Sequence, residues 1–272
     1  MKTSQTAAIP VAIFSICAFF AHDSSADTPL PTGLSGELTA NPKIIQVGDY
    51  PKLTWKINYP PAVLDVVDVN DPGDPGDPSG GGGGGSVGEP GTITPKIKLY
   101  TEVRILGQGV TVKNGSSFSF VNTQGTMSIN STSDFRQIFY GTNPQVNPAS
   151  IISLRTVFGD TYRNNLVDAG KPIRFGGRYY YNNNWGPQYR SHTGGDNVRF
   201  LVNGELPPSN VPDYNAPSLE SFIRPYLDSS GRVKIGPMDV IVFMELTHTA
   251  NQKSDVGYDL QDLVLLVTFR KP

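Results

Sequence analysis

The stretch 97–106 (IKLYTEVRIL) constrains the fold more than any other part of the chain. Ile97, Leu99, Thr101, Val103 and Ile105 alternate with Lys98, Tyr100, Glu102 and Arg104. A period of two puts one set on each face of a strand, whereas a helix would scatter the apolar residues around its axis. The same alternation returns at 53–59, with Leu53, Trp55, Ile57 and Tyr59 on one face and Thr54, Lys56 and Asn58 on the other. Towards the C-terminus, 239–246 (DVIVFMEL) and 263–269 (LVLLVTF) are almost continuously apolar. Runs of that length are expected to be central strands covered on both faces, with Val233-Lys234-Ile235 as a shorter companion. Asn114-Gly115 between two alternating segments is a hairpin signal. Met127-Ser128-Ile129 and 135–140 are further strand candidates, and 151–158 (IISLRTVF) suits a helix or a strand, with strand the preferred reading. One short helix is expected near 218–224, with Ser218 as N-cap and Pro225 as its stop.

With 29 Gly and 23 Pro in 272 residues, a long helical bundle is disfavoured. The expected fold is therefore all-β, a mostly antiparallel Ig-like β-sandwich. Residues 1–26 have the form of a secretory signal peptide: Lys2, then an apolar run from Ala7 to Phe20, then Ser24-Ser25-Ala26. That run is too short to cross a bilayer. Ile16 before the only cysteine, Cys17, and the apolar residues after it argue against a lipidation site. Cleavage after Ala26 leaves a cysteine-free chain, with no disulfide, thiolate nucleophile or thiolate metal ligand. The expected localisation is periplasmic or extracellular, with no membrane span once the leader is removed.

Leu38-Thr39-Ala40-Asn41-Pro42, Val47-Gly48 and Leu53-Thr54-Trp55 resemble the opening strands of bacterial Ig-like surface modules. The resemblance covers residues 38–59 and implies a β-sandwich in an adhesive or structural setting, with no catalytic residues.

Residues 27–36 read as a flexible arm, and 37–272 as one domain. The segment 65–91 changes character. Asp68, Asp71, Asp74 and Asp77 stand three apart, and a run of six glycines occupies 80–85. An EF-hand reading starting at Asp68 puts Pro72 at position 5 and Ser79 at position 12, where a bidentate carboxylate is needed. The segment reads instead as a disordered Asp/Pro/Gly-rich loop at 70–91, inserted in the domain, because two strands before it are too few to stand alone.

Net charge is −2, from 22 basic and 24 acidic residues, so no nucleic-acid partner is expected. Beyond His22 in the leader, His192 and His248 are 56 positions apart with no metal-ligand spacing, so no metal and no cofactor is assigned. No phosphate-loop motif is present, no Gly-x-Ser-x-Gly stands between a strand signal and a helix signal as a nucleophile elbow requires, and no catalytic residue is assigned. A carboxylate hydrolase would need two paired acids. Glu102, Glu205, Glu220, Glu245, Asp239, Asp259 and Asp262 are available, and the sequence does not pair them.

One stretch carries recognition chemistry. Between Arg174 and His192, Arg178, Tyr179, Tyr180, Tyr181, Trp185, Tyr189 and Arg190 stand together with Asn182, Asn183 and Asn184. Aromatic faces with guanidinium and amide donors are the parts of a glycan or peptide platform. The same residues would also suit an aromatic loop closing one end of the sandwich, with asparagines in left-handed turns. The expected function is a secreted, non-catalytic structural or adhesion protein, whose partner is a glycan or another surface protein. Carbohydrate binding through 174–192 is the alternative reading, and a carboxylate-based hydrolase the third.

Overall fold

In a computed structural model of the chain, the described residues are 35–41, 52–58, 62–72, 89–114, 117–193, 195–207, 223–255 and 257–272; for 35–41, 52–58 and Asn114 the description covers the backbone only. The leader at 1–26, most of the arm at 27–36, the glycine run, Glu220 and residues 218–222 of the expected helix lie outside them.

The order of elements follows the breakers and the alternation. Strands β1 (Ser35–Asn41) and β2 (Lys52–Asn58) pair antiparallel. Helix α1 (Val63–Val66) leads into β3 (Val67–Asn70), which pairs with β4 (Thr92–Pro95). Strand β5 (Leu99–Gly107) is followed by the hairpin β6 (Thr111–Asn114) and β7 (Ser117–Phe120), as Asn114-Gly115 predicts. Then come β8 (Asn122–Ile129), β9 (Arg136–Gly141), helix α2 (Leu154–Phe158) and β10 (Leu166–Val167). Strand β11 (Ile173–Tyr181) returns through β12 (Asn184–Trp185) and β13 (Tyr189–Arg190). The chain finishes with β14 (Val198–Val202), β15 (Asp239–Met244) and β16 (Leu263–Arg270).

Two antiparallel sheets make the sandwich. One has the order β10-β5-β16-β15-β14; the other has the order β3-β4-β11-β8-β9, with β12 and β13 paired to β11. Leu99, Val103, Val240, Val242, Leu265 and Val267 of the first meet Ile93, Met127, Ile173 and Phe175 of the second in one buried cluster. Phe175 and Phe200 meet edge to face across it, with centroids 6.2 Å apart. Strands β15 and β16 are apolar on both sides for a visible reason. Ile241, Phe243, Val264 and Leu266 face away from the sandwich and are covered by Ile223, Val233, Tyr258 and Leu260 in a second cluster. Fully burying each large side chain contributes about 1.5–3 kcal/mol.

Three expectations change. Residues 151–158 supply α2 rather than a strand: Ser153 accepts a hydrogen bond from the Thr156 N–H and caps it. Asn70, the first residue of the expected loop at 70–91, instead ends β3 and pairs with Thr92. Val233 makes a single bridge with Leu227 instead of a strand. At the expected helix, the described residues give only a short 3₁₀ turn, Arg224–Tyr226.

Candidate functional site

The stretch 174–192 is a strand with its return, not a loop. Asn182 and Asn183 both have positive φ (49° and 61°) and form the two-residue turn between β11 and β12, as two adjacent left-handed residues do in tight hairpins. Alternation then sorts the side chains. Ile173 and Phe175 enter the core, so Arg174, Gly176, Arg178 and Tyr180 face outward. Gly176 opposes Arg190 and Tyr180 opposes Trp185. On β11's other flank, Arg178 opposes Gln124 of β8, which opposes Tyr140 of β9.

This register brings together residues far apart in sequence. The Arg178 guanidinium carbon sits 3.9 Å from the centre of the Trp185 ring. Tyr180 and Tyr140 flank the same ring at 4.9 and 5.9 Å, tilted by 54° and 57°. Arg178 Nε donates to Gln124 Oε1 at 2.7 Å, and Gln124 Nε2 donates to Gln137 Oε1 at 2.8 Å. The guanidinium under Trp185 is therefore held in place, yet Trp185 and Tyr140 remain 42% and 43% exposed.

Of the seven expected platform residues, Arg178, Tyr180, Trp185 and Arg190 share the outward face. Tyr179, Tyr181 and Tyr189 alternate to the other side. Tyr189 packs against the core, and burial raises its hydroxyl pKa. The Tyr179 ring lies against Gly186, where a Cβ would come within 2.3 Å of it. Tyr140, Gln124 and Gln137 are the residues that sequence reasoning missed. Tyr140 falls within the expected strand 135–140, but nothing local says that β9 lies two strands from β11.

Beside the platform on the same face is a basic group. The Arg190 guanidinium lies 4.7 Å from the centre of the Phe135 ring, and Phe135 stacks on His192 at 5.6 Å. Arg174 is 3% exposed, donates to the Ser131 carbonyl and pairs with Glu89. Burial, followed by the nearby Arg174 charge, holds the His192 pKa below its ordinary value. Arg174 Nε, Arg190 Nε and His192 Nδ1 are buried without a hydrogen-bond partner among the described residues.

The structure pairs the acids that the sequence could not. Glu245, Asp259 and Asp262 bring carboxylate oxygens within 4.8 Å of one another, so they are the described residues that could converge on a cation. Their oxygens already have partners. Asp262 Oδ2 accepts the N–H groups of Leu246 and Thr247 at 2.6 and 3.0 Å. Glu245 accepts from the N–H groups of Thr247, His248 and Asp259 at 2.9–3.1 Å. Glu245 and Asp262 are buried, and the trio ties the segment 245–262 onto the end of β15. Burial and the neighbouring Glu245 and Asp259 push the Asp262 pKa well up. Glu102 lies elsewhere, paired with Arg104 and Arg270. Asp239 also stands apart, caps the Gly236 N–H, and has its pKa raised by burial.

Compared with known proteins, the chain matches no family model, no curated protein and no solved structure.

Proposed function

We propose that the chain is a secreted, non-catalytic adhesion protein that binds carbohydrate through the outward face of the β11 sheet. The observation that carries this reading is Trp185, fixed over Arg178 between Tyr180 and Tyr140 and two-fifths exposed. Trp185, Tyr180 and Tyr140 make a contiguous aromatic patch, and such patches, unlike rings exposed singly, mark interaction sites. Rings that stack, beside amides and guanidiniums that orient, are the parts of a sugar subsite. The leader-like residues 1–26 support export, and the likeness of 38–59 to Ig-like surface modules supports an adhesive setting. The acids brought together at 245–262 have their oxygens engaged by backbone donors, which favours binding over hydrolysis.

A polysaccharide pull-down and a glycan array with the wild type, Trp185→Ala and Tyr180→Ala test the proposal. It predicts saturable binding that drops at least tenfold in both variants at unchanged melting temperature. Equal signals from all three proteins reject it.

A further inference from the structure

We propose that the carbohydrate taken by this face is acidic, a uronic-acid polysaccharide whose carboxylates meet Arg190 and Arg178 while its rings stack on Trp185 and Tyr140. The inference rests on the glycan reading above and adds the ligand's charge.

Its basis is a row of three cations, of which two are uncompensated. Arg174, Arg178 and the β13 residue Arg190, opposite Gly176, lie along the outward side of β11. Neighbouring outward positions on a strand are about 7 Å apart. Glu89 neutralises Arg174. Asp134, beside Phe135, is taken by Arg136 at 3.0 Å. Among the described residues, neither Arg178 nor Arg190 has a carboxylate partner. Arg178 spends its Nε on the Gln124 side chain and its π-face on Trp185, while Arg190 lies over Phe135. The face therefore holds two positive charges in excess, on a protein whose net charge is −2.

The second observation is adjacency. The Arg178 guanidinium lies 3.9 Å from the centre of the Trp185 ring, and Arg190 stands beside Gly176, the next outward position along β11, so one extended ligand would meet both rings and cations. A guanidinium presents two parallel donors to a carboxylate, which suits a sugar acid better than a neutral hexose. The rings make a simple polyanion without sugar faces the poorer ligand.

The test compares polygalacturonate, alginate and hyaluronan with neutral dextran and with fully methyl-esterified pectin. The pectin keeps the sugar and removes the charge. The wild type is expected to bind at least one of the three polyuronates tenfold or more tightly than both neutral polymers. Raising salt from about 0.05 to 0.5 M should erode that margin as screening shortens to a few ångströms. Arg190→Gln should lose most of the margin, whereas Lys98→Gln, in the connection just before β5 and paired with Asp168, should keep it. Polyglutamate should bind more weakly than the preferred polyuronate. Equal binding of acidic and neutral polymers overturns the inference and leaves the glycan reading standing. Binding of polyglutamate as tightly as any polyuronate also overturns it. Binding of none of these polymers, acidic or neutral, defeats both.

Discussion

Replacing Asp262 by Asn should change how stability depends on pH, and by a calculable slope. Asp262 is buried beside Glu245 and Asp259, and its pKa is pushed well above that of a free carboxyl by burial and then by Glu245. In the unfolded chain it titrates near 3.9. Between that value and its raised folded value, the folded protein holds one proton that the unfolded chain has released. Stability therefore falls as pH rises through this window, by about 1.4 kcal/mol per pH unit for one proton. Asn keeps an oxygen to accept from Leu246 and Thr247, which Asp262 does now at 2.6 and 3.0 Å. Its amide can also donate to Glu245 without titrating. Asp239, raised in the same direction by burial, is common to both proteins and cancels in the difference. Urea melts at half-unit steps from about pH 4 to 8 give that difference directly. The variant should gain on the wild type as pH rises above about 4, until the folded pKa is passed. A chain of this size moves by roughly 2–4 °C per kcal/mol, so thermal scans at two pH values also resolve the effect. A difference that stays constant across the range would refute the assignment of a proton to the 245–262 acidic group.

Three other perturbations test the frame around the site. Phe175→Ala removes a fully buried ring that meets Phe200; it should cost about 3–5 kcal/mol, and a loss below about 1 kcal/mol in urea melts would place Phe175 outside the sandwich core. Gly176→Val should destabilise by about 1–3 kcal/mol although valine favours strands, because a Cβ there would lie 2.6 Å from the Tyr189 carbonyl oxygen; a gain in stability would contradict the close approach of β13. Replacing 73–88 by a short turn, with Asp71 and Glu89 kept for Arg199 and Arg174, should leave stability within about 1 kcal/mol or raise it slightly, since closure entropy varies slowly with length and falls as the loop shortens and Asn70 already pairs with Thr92; a fall in melting temperature beyond about 5 °C would show that the insertion supports the fold.

The strands were legible where one local rule decided them. Alternation at 97–106 marked β5, and the apolar runs marked β15 and β16 as covered on both faces, which Tyr258, Leu260 and Val233 accomplish. The paired asparagines at 182–183 announced left-handed positions, and they form the hairpin turn. Where two rules competed, the sequence did not decide. The apolar content of 151–158 suits either state, and the Ser153 cap settles it as α2. The site was half legible. Its aromatic and basic residues stood together in the chain, but which of them share a face depends on the register of β11. Tyr140 joins Trp185 only because β8 and β9 follow β11 in the sheet. The acidic group at 245–262 is likewise a product of β15 and β16 lying side by side, and spacing alone could not pair its members.

Amide and indole chemical-shift mapping during a titration with the preferred polysaccharide tests the central claim most directly. Shifts should concentrate on Gln124, Gln137, Tyr140, Arg178, Tyr180 and the Trp185 indole N–H, with β15 and the 245–262 segment silent. Saturable binding whose shifts fall on those silent residues, leaving Trp185 and its neighbours unmoved, would contradict the account.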